Sequence, residues 1–443
     1  MSKQIIALSL FASLMLGCEP GPPNQSQSSN TTQPAETALP TTPQPSPGVS
    51  AEQASTITLP MLDALFQDAE FVEAVKKDQN ITDAEIEQIR IAARNAVSNL
   101  GEGGNDENRS TASASNDALA KLKSVLGEQR STQFASFLGR YQSGGAEMDT
   151  SKANQVPSDT RVVVNIPAYR MDVFKDGQLL KTYRIGIGYP EFPIPTGMRT
   201  AKAIIFNPTW TPPDEPWVKG ELKPLKTVEA GSKLNPLGPI KIPIGSPSLI
   251  HGGKSAARLG GFNSHGCVGL TNGQVQDFAS VLSSLSGNDI SLAEVKRYEK
   301  AKTETEQVPL KQPVPVELRY ETIVVENGTL KLFRDVYEKG MNTEQNLRRV
   351  LDQYGVSFDT FDPATKAKLL EALAQMSRDA RGQPVQASPY SNANSNSSSK
   401  PATNSNSGSA RVTANVKGKK EIAFPLKALA GKGYPAAKNL KAS

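Results

Sequence analysis

Followed from one end to the other, the apolar positions of this chain change their period, and each change marks a boundary. A largely apolar run from Ile5 to Leu16 follows Lys3. About a dozen residues are too few to span a bilayer but suit the apolar region of an export signal. Residues 19–55 are rich in Pro, Ser, Thr and Gln, which predicts a disordered tether. Between 56 and 145 the spacing becomes helical: Met61, Leu62, Leu65 and Phe66, then Val72 and Val75. Thr82 and Glu85 fit a capping box ahead of Ile86, Ile89, Ala93 and Val97. After a polar gap (101–115), Leu119, Leu122 and Leu126 predict another helix, and Phe134–Tyr141 a further one. These residues do not declare what the helical module does.

From residue 161 the period shifts to two. Arg161–Ile166 and Tyr169–Phe174 read as strands, and Lys175-Asp176-Gly177-Gln178 predicts a tight turn into a third, Leu179–Ile187. Short strands follow near Thr200–Phe206, Ile240–Ile244, Ser248–His251 and Val268–Leu270. A helix over 273–286 presents Val275, Phe278, Val281, Leu282 and Leu285 on one face, and Ile290–Leu292 reads as a closing strand. A hairpin is expected from Val316–Val325 through Glu326-Asn327-Gly328 to Thr329–Val336. Two helices follow, one carrying Leu347, Val350, Leu351 and Tyr354. The other opens on Asp362-Pro363 as N-cap and first-turn proline, and carries Leu369, Leu370, Leu373 and Met376.

The predicted organisation is an export signal (1–18), a tether (19–55), a small α-helical module (56–145) and a mainly β domain (158–340). A helical extension (341–381), a Ser/Asn-rich linker (382–410) and a basic tail (411–443) complete it. Many short strands with Pro/Gly-rich turns indicate a β-sandwich or small barrel with flanking helices. The tail carries +7 where the whole chain carries +5. Such charge suits anionic wall polymers or phospholipid head groups; a merely solubilising tail is the alternative. Nucleic acid is set aside as a partner of an exported chain.

Candidate chemistry is concentrated. The chain has two His and two Cys, and three of these four fall between 251 and 267: His251, His265 and Cys267, beside Gly252, Gly253 and Gly266. A thiol attacks a carbonyl as thiolate and needs a base within reach, and backbone N–H groups of a Gly-containing turn can receive the oxyanion. In an extended segment His265 and Cys267 would project to the same side. The pattern points to Cys–His acyl transfer. A zinc site and an inert buried thiol remain alternatives.

Two resemblances sharpen this. Leu14-Met15-Leu16-Gly17-Cys18 resembles the lipobox of bacterial lipoproteins, which implies lipidation of Cys18 and export to the cell envelope. No Asp follows Cys18, so the outer membrane is implied in a diderm source. An ordinary secretory signal is the alternative. Lipidation would leave Cys267 with no disulfide partner.

Ser264-His265-Gly266-Cys267 with upstream His251-Gly252 resembles the active-site motif of L,D-transpeptidases of the YkuD type. Asn165–Arg170, Gly186-Ile187-Gly188, Pro195-Thr196-Gly197 and Asn207–Trp210 agree with it. The resemblance implies a β-sandwich-like cysteine enzyme acting on peptidoglycan stem peptides, acylated by carbapenems and needing no metal or cofactor. Cys267 would be the nucleophile and His251 the base, oriented through the Gly252 carbonyl. His265, Gly266 and Cys267 would frame the oxyanion, and Ser264 would brace the loop. A same-fold hydrolase and a non-catalytic wall-binding lipoprotein are the rival functions. Gly269 stands where the family places Arg; Lys254 or Arg258 is the expected substitute cation. Trp210 and Trp217 suit either packing of their Pro-rich loop or a lid on the substrate groove, and are not taken as site residues.

Overall fold

The computed structural model describes residues 56–97, 110–142, 153–212, 218, 220–301, 303–385 and 416–440. The export signal with Cys18, the tether, Trp217 and nearly all of the 382–410 linker lie outside the described residues.

The helical module consists of α1 (Leu59–Leu65), α2 (Ala69–Gln79), α3 (Asp83–Val97) and α4 (Thr111–Gln142). Thr82 and Glu85 form the expected capping box, and Glu85 also receives the Arg130 guanidinium at 2.7 and 3.0 Å. The two helices expected after the polar gap run together as α4 across a kink at Gly127, whose φ of +79° only glycine adopts at little cost. Phe66, Phe71, Phe134 and Phe137 lie at the centre of the module's own apolar core.

The mainly β domain is built on an eight-stranded curled sheet of order β3-β2-β1-β10-β5-β6-β7-β9. Its strands are β1 (Arg161–Asn165), β2 (Arg170–Lys175), β3 (Gln178–Arg184), β5 (Gly197–Phe206), β6 (Ile240–Pro243), β7 (Leu249–His251), β9 (Val268–Gly269) and β10 (Glu306–Arg319). Between β2 and β3, Asp176 and Gly177 both take positive φ, as the right-handed twist of a tight hairpin demands. A two-stranded parallel ladder, β4 (Ile187–Gly188) with β8 (Phe262–Ser264), lies beside the end of the sheet. Helix α5 (Asn272–Leu285) buries Val275, Phe278, Ala279 and Leu282 against the sheet's core.

Two expectations are corrected. Ile290–Leu292 is no strand: Ser291 caps α6 (Leu292–Lys300) in a reciprocal box with Glu294, which overrides two apolar residues too few to define a period. Val316–Val325 is not one strand either. β10 starts earlier, ends at Arg319, and belongs to the large sheet, whereas β11 (Ile323–Glu326) and β12 (Thr329–Phe333) belong to another.

The C-terminal segment adds to the fold. Much of the basic segment is folded: β13 (Glu421–Pro425) pairs with β12, and Tyr434 is buried with its N–H on the Val325 carbonyl. Lys420, Lys432 and Lys438 donate to the carbonyls of Gly260, Tyr354 and Leu179. Charge composition alone hides a strand whose partner lies about ninety residues away. Helices α7 (Glu344–Gln353) and α8 (Pro363–Met376) pack on this three-stranded sheet through Leu347, Val350, Leu369, Leu373 and Met376.

Candidate active site

His251 ends β7 and Cys267 immediately precedes β9. These strands pair in parallel, with Ile250 opposite Val268 and His251 opposite Gly269. The register brings Cys267 beside Leu249, two residues before His251 on the neighbouring strand, a proximity that their separation in sequence does not suggest. His251 is buried, and its Nδ1 lies 2.8 Å from the Gly252 carbonyl. A carbonyl can only accept, so Nδ1 carries the hydrogen and Nε2 keeps the lone pair. The turn after His251 is fixed by Asn272, whose Oδ1 accepts from the Gly253 N–H at 2.7 Å. Gly252 has no room for a side chain: a Cβ would meet Val275 Cγ1 at 2.8 Å.

The thiol loop closes on itself. Ser264 Oγ donates to the Cys267 carbonyl at 2.5 Å and accepts from the Cys267 N–H at 3.1 Å. Gly266 between them has φ of +86°, so 265–267 is a turn and not the extended segment expected from sequence. Ser248 Oγ holds the Gly266 carbonyl at 3.0 Å. Of the N–H groups expected to frame an oxyanion, that of Cys267 therefore already serves Ser264.

The His265 ring is gripped edge-on by two aromatics, Phe192 at 4.5 Å and Tyr189 at 5.2 Å between centroids. Ser248, Tyr189 and Phe192 were not legible as site residues: a serine just ahead of a strand and two aromatics in a proline-rich run carry no signal of what they face.

Desolvation governs the titrations. Burial pushes His251 down to about 3, with the charge of Lys254 adding to it and the Gly252 and Leu237 carbonyls opposing. Burial also pushes His265 down to about 3, again helped by Lys254. The Cys267 thiol is pushed up by burial, while the Leu249 N–H and Lys254 pull it back. At neutral pH the site thus holds two neutral imidazoles and a protonated thiol.

Lys254 acts electrostatically on all three groups. Its stem lies over Gly269, where a Cβ would come within 2.9 Å of Lys254 Cγ and 2.8 Å of Asn263 Oδ1. Arg258 donates to Tyr189 Oη at 3.1 Å, on the ring that packs against His265. Among the described residues no three His, Cys, Asp or Glu side chains are grouped to hold a metal ion. Trp210 pairs through its backbone with Val228, as part of its own loop.

Residues 159–315 match the L,D-transpeptidase catalytic domain, YkuD. The curled sheet is thus a YkuD-type fold, and the thiol loop and both histidines lie inside the matched span. Similar solved structures include an L,D-transpeptidase from Mycobacterium smegmatis (20% identity over 36% of this chain and 58% of that one, TM-score 0.23). They also include the catalytic domain of the E. faecium L,D-transpeptidase (18%, 37% and 100%, TM-score 0.23). A third is Mycobacterium tuberculosis L,D-transpeptidase 1 (19%, 36% and 61%, TM-score 0.21). The chain thus spans little more than half the length of the mycobacterial proteins. None of the curated proteins matches it.

Proposed function

We propose that this protein is a cysteine L,D-transpeptidase acting on peptidoglycan tetrapeptide stems. What carries the reading is the family match of residues 159–315, within which the parallel β7–β9 pair joins the segments that carry His251 and Cys267. Cys267 Sγ attacks the carbonyl carbon of the third stem residue, a diamino acid. His251 Nε2 takes the thiol proton and delivers it to the departing amine as the C–N bond to the terminal D-Ala breaks, leaving a thioester. An acceptor amine then attacks the thioester carbon, the C–S bond breaks, and a proton returns to the thiolate through His251, giving a 3→3 cross-link.

A base pushed down to about 3 is neutral throughout the physiological range, so the lone pair is always available. The Gly252 carbonyl fixes the tautomer that exposes it. With the Cys267 N–H on Ser264, the Gly266 N–H and the His265 side of the loop receive the oxyanion. Ser264 and Ser248 hold that loop in shape. Lys254 supplies the cation for the site, and acylation of Cys267 by carbapenems belongs to the same reading. So do export, lipidation of Cys18 and residence at the envelope, which leave the catalytic domain on the peptidoglycan side of the membrane. The basic C-terminal segment provides contact with anionic polymer or head groups.

The test is mass spectrometry of products from disaccharide-tetrapeptide, beside a Cys267→Ala control. Cysteine-dependent release of D-Ala with a cross-linked dimer supports the transpeptidase. Tripeptide monomer replaces it with the hydrolase, and no cysteine-dependent product favours a wall-binding lipoprotein.

A further inference from the structure

The helical module has a core of its own, separate from that of the large sheet, yet it meets the catalytic domain at one telling place. The loop after β4 makes a turn, Tyr189-Pro190-Glu191-Phe192, closed by the Phe192 N–H on the Tyr189 carbonyl at 2.8 Å. The carbonyls of the two central residues find no partner within such a turn. Both are taken by threonines of the module. Thr111, the first residue of α4, donates from Oγ1 to the Pro190 carbonyl at 2.9 Å, and Thr58, which caps α1, donates to the Glu191 carbonyl at 2.7 Å. Both threonines are wholly buried.

The corners of this same turn carry the rings of Tyr189 and Phe192 that grip His265. The turn is tied to the thiol loop a second time: the Tyr189 N–H donates to the Ser264 carbonyl at 2.8 Å. It presses close as well, since a Cβ on Gly188 would fall 2.1 Å from the Phe192 carbonyl oxygen and 3.1 Å from Gly266 Cα. Tyr337 holds the loop's flanks, donating to the Gly188 carbonyl and accepting from the Ile194 N–H. A third polar link, from the Ala112 N–H to Glu338 Oε2 at 3.2 Å, seats the start of α4 on the domain.

We propose that the helical module is a clamp that sets the orientation of His265, acting through the 189–192 turn, with Thr58 and Thr111 as its positioning residues. Neither threonine touches the reacting atoms. Each fixes a carbonyl of the turn, the turn fixes two rings, and the rings fix the imidazole beside the thiol. Positioning of this kind changes turnover more than binding, because a misplaced group costs most where charge develops.

The chain has only two histidines, so the imidazole NMR spectrum of the full chain has two resonance sets that report the clamp separately. The double variant Thr58→Val/Thr111→Val keeps side-chain volume and removes both donors; Thr58→Ser/Thr111→Ser keeps them. The clamp predicts that the valine pair moves the His265 resonances toward solvent values, leaves those of His251 in place, and lowers kcat about tenfold with KM changed less than about twofold. The serine pair restores both. Thr58 also accepts from the Met61 N–H, so the valine pair loses a helix cap, and far-UV circular dichroism follows the module. An unmoved His265 overturns the proposal whether or not the module stays helical. Equal movement of both histidines overturns it too, by making the threonines general stabilisers. The NMR readout does not depend on which acyl acceptor the enzyme uses, so it stands apart from the proposed function.

Discussion

Lys254 lies across Gly269, its Cγ within 2.9 Å of where a Cβ would be, so the two positions share one small space beside the thiol loop. Position 269 also exchanges both backbone hydrogen bonds with Gly186 at 2.9 Å, while Asn263 fills the space beside them. An arginine has no room there. The charge felt by the thiol and both imidazoles is that of Lys254, in the loop after His251. Because Lys254 pulls the Cys267 thiol down, Lys254→Met should raise the thiol's pKa and slow alkylation of Cys267 at neutral pH by roughly three- to tenfold. Arg258→Met, whose partner is Tyr189, should leave the rate within about twofold. Rates of iodoacetamide labelling measured from pH 6 to 10 decide between them; equal slowing in both variants contradicts the assignment to Lys254.

The thiol turn makes Gly266 a conformational requirement and not a spatial one. A Cβ there meets nothing nearer than the Phe192 carbonyl oxygen at 3.9 Å, but its φ of +86° penalises any L side chain. Gly266→Ala should therefore cost about 1–2 kcal/mol of stability, read as a drop in melting temperature, and lower turnover at least tenfold. Gly252→Ala, which would drive a methyl into Val275 Cγ1 at 2.8 Å, should destabilise more. A reversed order of the two melting temperatures contradicts this account.

Glu338 gives the junction between module and domain a pH dependence. Burial pushes its carboxyl up to about 7, reinforced by Asp379 and Asp335, while the Ser110 hydroxyl and the Ala112 N–H favour the charged form. In the unfolded chain it titrates near its ordinary value of 4.5. A raised carboxyl contributes stability that is fully present below the unfolded value and is lost as pH rises through about 7. Glu338→Gln, which resembles the protonated form, should match the wild type near pH 5 and melt above it at pH 8. Thermal melts at both pH values check this; a difference that does not grow with pH contradicts it.

Local signals were legible where local physics decides. The Thr82–Glu85 box, the Asp176-Gly177 hairpin and the Asp362-Pro363 helix start lie within a few residues of the elements they specify, and all are present. The gathering of His251, His265 and Cys267 was legible because rare residue types cannot cluster inconspicuously. Long-range pairing was not legible. β13 joins β12 across a long separation, and the Tyr189 and Phe192 rings reach His265 only because the β4–β8 ladder lays their loop beside it. Gly266 could not be read as a turn, since a single glycine allows extended and left-handed backbone alike.

The most direct test of the central claim is intact-protein mass spectrometry after brief mixing with disaccharide-tetrapeptide, followed by peptide mapping. The account predicts a covalent adduct equal to the donor less its terminal D-Ala, carried by Cys267, absent in Cys267→Ala and slow to form in His251→Ala. An adduct on another residue, or D-Ala release with Cys267→Ala at the wild-type rate, contradicts it.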